Sequence, residues 1–229
     1  IPVSNTPGVL TDATADLAMT LMLMLCRRAG EGERELRAGA WAGWRPTHLV
    51  GQAMTGKRLG IIGMGRIGKA VAQRAHFGFG MEIGCFNRSP VADGAGVGAT
   101  QYDSVAALCA ASDFVSLHCA ATPDTFEILD EEALAAMSAD AYVVNTARGD
   151  VVDEAALVAA LESGAIAGAG LDVFQGEPAV NPAILAAPNT VLLPHLGSAT
   201  RETRVAMGLK VVANARAFAA GDPLPDPVG

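Results

Sequence analysis

Aromatic residues, basic residues and long hydrophobic runs are all scarce in this sequence of 229 residues. Phe, Trp and Tyr make up 5% of the chain although 51% of it is hydrophobic, so Ala, Val, Leu and Ile must build the core, as in many α/β proteins. Acidic residues outnumber basic ones by 24 to 16, and the net charge of -8 argues against nucleic acid or an anionic membrane as partner. The densest apolar run, residues 17–26, is too short to span a bilayer.

The four cysteines show no C-x-x-C spacing and fall inside apolar runs. They favour buried free thiols in a reducing compartment over disulfides or a metal site. Because no signal peptide is visible either, we expect a cytoplasmic protein without a bound metal. The cysteines are Cys26, Cys85, Cys109 and Cys119.

The chain is organised around a glycine motif. The apolar run 59–62 predicts a buried strand, and it ends directly in G-x-G-x-x-G, after which apolar residues recur at helical spacing. On such a strand-to-helix turn the first glycine allows the tight turn, the second lets a pyrophosphate approach, and the third lets the helix pack on the strand. The helix N-terminus then offers N–H groups to the phosphates. The predicted phosphate-binding residues are Gly63, Gly65, Arg66, Ile67 and Gly68.

Strand-like and helical patterns alternate along the rest of the chain. This alternation predicts right-handed crossovers and an α/β fold with a doubly wound parallel sheet of the Rossmann type. The predicted strands are 59–62, 82–86, a weaker one near Val97, 114–117, 141–145, 167–171 and 191–193. The predicted helices are 11–28, 31–37, one starting at 66, 104–110, 131–137, 153–163 and 200–219.

Three reactive side chains follow three successive predicted strands. In such sheets ligands bind beyond the carboxyl ends of the strands, and Arg148, Glu177 and His195 occupy those places. Singly, they could be a surface cation, a turn residue before proline and a hydrogen-bonded core histidine. No packing argument explains all three together, so we interpret them as a catalytic group.

At these segments the sequence resembles the D-isomer-specific 2-hydroxyacid dehydrogenases. The matching segments are 5–8, 63–68, 145–149, 171–174 with Glu177-Pro178, and 194–198, in the family's order over nearly the whole chain. Within the family the chain looks most like the glyoxylate/hydroxypyruvate reductases, especially at 7–17 and 41–46. It departs from the family at Ala120-Ala121, where proline is common after His118-Cys119, and in lacking the first half of a substrate domain.

The resemblance implies two parts of the chain. Residues 1–203 would form the dinucleotide-binding domain with an N-terminal linker helix, and residues 204–229 would form a helix and tail returning to the substrate domain. Because the family closes that domain over the substrate, we expect this chain alone to bind NADPH but to reduce 2-oxo acids poorly.

The resemblance also assigns roles. Reduction of glyoxylate, hydroxypyruvate or a similar small 2-oxo acid places negative charge on the carbonyl oxygen, which His195 would protonate while Glu177 stabilises the imidazolium. Arg148 would bind and polarise the substrate. Asp172 would lie near the nicotinamide or cap a turn, and His118 would line the cofactor cleft or be structural. Further implied cofactor contacts are Thr146, Ala147, Arg148, His195 and Gly197, whereas His48 and His76 are expected to be structural.

Several alternatives stay open at this point. A 2-ketogluconate reductase or a D-lactate-type dehydrogenase would carry the same residues. A nucleotide-sensing binding module, as in the transcriptional corepressors of this fold, would keep a similar triad. Glu177 argues against formate dehydrogenases, which pair their histidine with glutamine.

The end of the second predicted strand bears on the choice of cofactor. NAD-specific sites place Asp or Glu there to bind the ribose 2′-OH, and that charge would repel a 2′-phosphate. Here Asn87, Arg88 and Ser89 occupy the position, which predicts NADPH, with NADH as the alternative. A solvated Arg88 stacked on adenine is the competing interpretation.

The first helix and the loop 41–46 predict a homodimer. Their Met, Leu and Trp side chains carry more apolar surface than a monomer readily exposes. The resemblance adds that this region packs around a two-fold partner. In the alternative, Trp41 and Trp44 both fold onto their own subunit.

Overall fold

The computed structural model describes residues 1–91 and 95–228. Its strands are β1 (Arg58–Ile62), β2 (Glu82–Phe86), β3 (Thr100–Gln101), β4 (Phe114–Leu117), β5 (Tyr142–Asn145), β6 (Gly168–Leu171) and β7 (Thr190–Leu192). Its helices are α1 (Thr11–Cys26), α2 (Ala29–Arg37), α3 (Arg66–Phe79), α4 (Val105–Ala110), α5 (Glu131–Ala135), α6 (Glu154–Ser163), α7 (Pro182–Ala186) and α8 (Arg201–Ala220).

The seven strands form one parallel sheet in the order β3-β2-β1-β4-β5-β6-β7. The order reverses beside β1, and the crevice beyond the carboxyl ends of β1 and β4 is where a doubly wound sheet binds its ligand. The predicted Rossmann-type fold is therefore confirmed.

Both faces of the sheet are covered by helices. Neighbouring residues of β1 point to opposite faces, so Ile61 packs in the core beneath α1 and α3, while Ile62 packs in the core beneath α4, α5 and α6. Burial on both sides explains why the central strands read as short, continuous apolar runs.

Side-chain caps fix the beginnings of three helices on the second face. Ser104, Asp130 and Asp153 each accept a hydrogen bond from the backbone N–H three residues later, at 3.1, 2.9 and 3.0 Å. These bonds satisfy N–H groups that the first turn of a helix leaves unpaired. The helices consequently start directly after these three residues.

The edge of the sheet differs from the sequence prediction. Val97 does not belong to a strand; it is buried in the preceding loop, and the edge strand β3 consists of Thr100 and Gln101. The Gln101 side chain fixes this edge by donating to the Asn87 carbonyl at 3.2 Å and accepting from the Val91 N–H at 2.9 Å. The short helix α7, which begins at Pro182 behind an Asn181 cap, was not predicted.

The cysteines agree with the prediction. All four carry free thiols; Cys26, Cys85 and Cys109 are buried and Cys119 is half-buried.

Within residues 1–91 and 95–228, no group of three His, Cys, Asp or Glu side chains is placed to hold a metal ion. No helix among these described residues combines the length and apolarity needed to cross a membrane.

Candidate active site

The glycine motif forms the predicted turn between β1 and α3. Gly63 has φ +95°, and a Cβ there would stand 2.6 Å from the Cys119 backbone nitrogen. A Cβ on Gly68 would overlap the Gly63 carbonyl oxygen. The first glycine is thus required by backbone conformation and close approach, and the third by the packing of α3 against the turn.

The second glycine leaves room for a ligand. Gly65 is exposed, caps the N-terminus of α3, and would place a Cβ within 4 Å of no other described atom. The first turn of α3, which includes Arg66 and Ile67, contains no acidic residue. An open helix N-terminus with free N–H groups fits the pyrophosphate of a dinucleotide.

Asn87 connects this turn to the end of β2. Its Oδ1 accepts from the Met64 N–H at 3.2 Å, and its Nδ2 donates to the Ser89 carbonyl at 2.9 Å. Arg88 and Ser89 are exposed directly behind it. The structure thus brings the glycine turn and residues 87–89 together, while their contact with a cofactor stays a prediction.

His118 directly follows β4, at the carboxyl end that borders the crevice between β1 and β4. Its Nε2 lies 2.8 Å from Ser116 Oγ and its Nδ1 lies 3.5 Å from Thr146 Oγ1. Desolvation lowers the pKa of His118 to about 4, so the ring is neutral at physiological pH. The ring therefore joins the ends of β4 and β5 and is poorly suited to supply a proton.

Asn145 shapes the segment that carries Arg148. Its buried carboxamide accepts from the Ala147 N–H at 2.9 Å and donates to the Arg148 carbonyl at 2.8 Å. Thr146 and Ala147 are buried in the turn, whereas the Arg148 side chain is exposed and donates to the Ala147 carbonyl at 2.6 Å. The turn thus presents one guanidinium to the open edge of the sheet.

Glu177 and His195 form a hydrogen-bonded pair. His195 Nδ1 lies 2.7 Å from Glu177 Oε2, and Glu177 Oε1 accepts from the Phe174 N–H at 2.9 Å. Desolvation opposes ionisation of Glu177, but the bonds from His195 and Phe174 and the nearby charge of Arg148 outweigh it, so the pKa of Glu177 lies below its usual range. The three residues predicted as catalytic are therefore brought to one edge of the sheet.

The loop bearing His195 is held by a buried carboxylate. Asp172 is 1% exposed and accepts from the N–H groups of Leu196 at 2.6 Å and Gly197 at 2.8 Å. Desolvation raises the pKa of Asp172, and these two bonds partly offset it. Of the two predicted roles for Asp172, the structure shows the turn cap, and proximity to the nicotinamide stays a prediction.

Sequence reasoning missed Thr14 as part of this site. Its hydroxyl donates to the Gly197 carbonyl at 3.1 Å, which ties α1 to the loop of His195. The sequence gives no sign of this role, because a Thr on an apolar helix is indistinguishable from a residue of the hydrophobic core.

Glu154 and Gln175 were also missed. The buried Glu154 carboxylate accepts from the Gln175 N–H at 2.7 Å, and Gln175 Nε2 donates to the Val152 carbonyl at 2.9 Å. Gly149 also lies so close to Phe174 that a Cβ on Gly149 would overlap the Phe174 backbone. These contacts fix the loop of Glu177 against the loop of Arg148.

The two remaining histidines make contacts that fit the predicted structural role. His48 Nε2 lies 2.9 Å from Glu35 and its Nδ1 lies 3.0 Å from Arg45. His76 Nδ1 lies 3.0 Å from the Met81 carbonyl. Neither ring belongs to the carboxyl edge of the sheet.

Comparison with known proteins places this geometry in a family. Residues 19–197 match the D-isomer specific 2-hydroxyacid dehydrogenase, NAD binding domain. A glyoxylate reductase of Thermococcus litoralis is 46% identical over 226 residues, covering 97% of this chain and 68% of the relative. A glycerate dehydrogenase of Hyphomicrobium methylovorum is 47% identical over 206 residues, covering 89% of this chain and 64% of the relative.

Solved structures agree over the whole chain. An NADPH-dependent glyoxylate/hydroxypyruvate reductase of Sinorhizobium meliloti, solved with NADP and malonate, superposes with a TM-score of 0.92 at 39% identity. The match covers 100% of this chain and 70% of that protein, so the chain spans about two-thirds of the length of its relatives. The chain belongs to the D-isomer-specific 2-hydroxyacid dehydrogenase family and contains its NAD-binding domain.

Proposed function

We propose that this chain carries the cofactor site and the catalytic residues of an enzyme that reduces a small 2-oxo acid, glyoxylate or hydroxypyruvate, to the D-2-hydroxy acid. The observation that carries the proposal is the 2.7 Å pair of His195 and Glu177 beside Arg148 at the carboxyl edge of the sheet. The names of the relatives support the same substrate class, since they include glyoxylate reductases and a glyoxylate/hydroxypyruvate reductase.

The residues at hand suit a nicotinamide dinucleotide. The open N-terminus of α3 at Gly65 would hold the pyrophosphate, with residues 87–89 beside the adenosine ribose. Thr146, Ala147, Asp172 and Gly197 would line the cleft towards the nicotinamide. When bound, the cofactor supplies the hydride for the carbonyl carbon.

The protein's own side chains then handle the charge on the substrate. The exposed Arg148 guanidinium can bind the substrate carboxylate or carbonyl oxygen through charge-assisted hydrogen bonds. Since His195 Nδ1 is engaged by Glu177, the opposite ring nitrogen, Nε2, is left to give its proton to the carbonyl oxygen.

Glu177 stabilises the protonated ring. Because its pKa is lowered, Glu177 stays ionised throughout the neutral range, and this support is lost only as the pH falls through that lowered pKa. We therefore expect a charged carboxylate to hold His195 Nδ1 throughout the neutral range.

Turnover tests this function directly. The chain joined to a complete substrate domain, called the intact protein below, should oxidise NADPH when glyoxylate or hydroxypyruvate is added, as followed by NADPH absorbance. Binding of NADPH by this intact protein without turnover of either acid would instead favour a nucleotide-sensing module and would overturn the enzymatic proposal.

For the cofactor we propose NADPH rather than NADH. Asn87 is neutral and its side chain is committed to the backbone, while the exposed Arg88 and Ser89 can pair with a 2′-phosphate. Replacing Asn87→Asp together with Arg88→Ala should reverse the preference in the intact enzyme, as measured by kcat/KM for both cofactors. Equal or better use of NADH by the unchanged protein would contradict it.

We also propose a homodimer. Trp41 and Trp44 are 52% and 82% exposed, and Leu36 and Val50, in the same segment of the chain, are exposed as well. Such an apolar surface is typical of a protein interface. Light scattering at micromolar concentration should give twice the mass of one chain, and a monomeric mass would count against the proposal.

A further inference from the structure

A cavity of about 250 Å³ lies at the edge of the sheet opposite to the candidate active site. It opens where the amino ends of β5, β6 and β7 meet the end of α1 and the start of α2. The side chains that matter for its chemistry are Arg28, Glu31, Arg34, Tyr142 and Asn189. Arg148 and His195 follow the opposite, carboxyl ends of these strands, so the cavity is separate from the site described above.

Tyr142 is the first unusual feature of this cavity. The residue is only 7% exposed, and its ring stacks on Phe114 with centroids 5.2 Å apart. No hydrogen bond joins its hydroxyl to any residue that the structure describes, and since no side-chain oxygen is both fully buried and unpartnered among these residues, the hydroxyl is reached by solvent. Burial raises the pKa of Tyr142, so the hydroxyl stays protonated and can donate.

The charges around the cavity are the second feature. Arg28 is neutralised by a two-pronged pair with Glu31, at 3.0 and 2.6 Å. The Arg34 guanidinium forms no ion pair with another residue in 1–91 or 95–228. The lining thus holds two guanidinium groups and one carboxylate, while the carboxylate of Asp140 acts on Tyr142 from outside the lining.

We propose that this cavity binds a small oxoanion, a carboxylate or a phosphate, through Arg34 and the Tyr142 hydroxyl. An anion there would neutralise the unpaired guanidinium and accept the phenolic hydrogen bond, both of which are stronger in a partly enclosed site. The Asn189 carboxamide, which makes no side-chain hydrogen bond within the described residues, is placed to donate to the same ligand. The volume is large enough for an anion of a few heavy atoms together with bound water, since a water molecule takes about 30 Å³.

The test is a backbone NMR titration at constant ionic strength, with inorganic phosphate in one arm and acetate in the other. Amides at Gly30, Tyr142 and Thr190 should shift in a saturable manner with at least one probe. The arm that saturates at the lower concentration identifies the preferred oxoanion. Shifts of the amides at the N-terminus of α3 report separately on anion binding at the cofactor site.

Three variants make the result specific. Arg34→Gln should weaken binding roughly tenfold or more, and Tyr142→Phe, which keeps the stacked ring, should weaken it about fivefold. Arg37→Gln is the matched control, because Arg37 lies on the same helix but outside the cavity and pairs with Glu33. This control should bind like the unchanged protein.

Two results would overturn the proposal. One is the absence of saturable shifts at Gly30, Tyr142 and Thr190 with either probe. The other is an equal response of the Arg34→Gln and Arg37→Gln proteins, which would reduce the effect to general screening of charge. Unchanged chemical shifts elsewhere in each variant show that its fold is intact.

Discussion

The two halves of the candidate site, the glycine turn (residues 63–68) and the histidine loop (residues 194–198), are held in different ways. The turn combines a contact between near neighbours, Gly68 against the Gly63 carbonyl, with backbone contacts from Phe86 and Cys119 to Gly63, which lie far from it in sequence. The histidine loop is fixed by groups far away in sequence: Glu177, Asp172 and Thr14 lie 18, 25 and 183 positions from the residues they bind. The turn thus rests mainly on backbone contacts around a contiguous motif, whereas the loop rests on side chains that only the assembled fold brings to it.

This difference suits the tasks that we propose for the two halves. A phosphate cradle needs only backbone N–H groups in a fixed turn. A proton donor must hold one ring in one orientation, and His195 does so with φ +56°, a conformation that costs a residue other than glycine about 1 kcal/mol or more. The hydrogen bonds to Asp172, Glu177 and Thr14 offset that cost.

The largest expected effect is that of His195, whose replacement should change the reduction rate but not the affinity for NADPH. His195→Asn should lower the rate of 2-oxo acid reduction in the intact protein by about 10²–10⁴-fold, because it removes the proton donor. NADPH affinity, measured by fluorescence titration, should change little, since the glycine turn is untouched. An unchanged reduction rate would remove His195 from the mechanism.

The next effect concerns the glycine turn. Gly63→Ala should lower the free energy of unfolding by roughly 2–3 kcal/mol more than Gly80→Ala and weaken NADPH binding at least tenfold. Gly80 is the matched control, because it too has a left-handed φ, +62°, but a Cβ there meets nothing within 4 Å. Chemical denaturation and cofactor titration measure both quantities, and equal results for the two variants would contradict the role given to close approach.

The smallest expected effect concerns Thr14. Thr14→Val leaves the Gly197 carbonyl without its donor, which should lower stability by about 1 kcal/mol and the reduction rate by a few-fold. Thr20→Val is the control, since Thr20 lies on the same helix and bonds only the Asp16 carbonyl at 2.8 Å. If both variants reduce the substrate at the same rate, α1 does not support the histidine loop.

The turn and the central strands could be predicted from the sequence because each leaves a recognisable pattern in a short stretch of it. Continuous apolar runs mark β1, β4 and β5, and the glycine spacing marks the turn. The edge strand β3 could not be found in this way, because its Thr100 and Gln101 are polar and its pairing depends on the Asn87 and Val91 backbone.

The histidine loop was only partly predictable. His195 could be recognised because it is one of three reactive side chains that follow three successive strands. The roles of the three side chains came from the family resemblance. The supports Thr14 and Glu154 could not be identified, because their partners Gly197 and Gln175 become neighbours only when the chain folds.

The measurement that tests this account most directly is amide hydrogen exchange at the histidine loop without any ligand. We predict that the N–H groups of Leu196 and Gly197 are protected by the Asp172 carboxylate and exchange quickly in Asp172→Ala. The Gly63 N–H, which donates to the Phe86 carbonyl at 2.9 Å, should stay protected in both proteins. Rapid exchange of Leu196 and Gly197 in the unchanged protein, or equal protection in the variant, would show that the fold does not hold this loop.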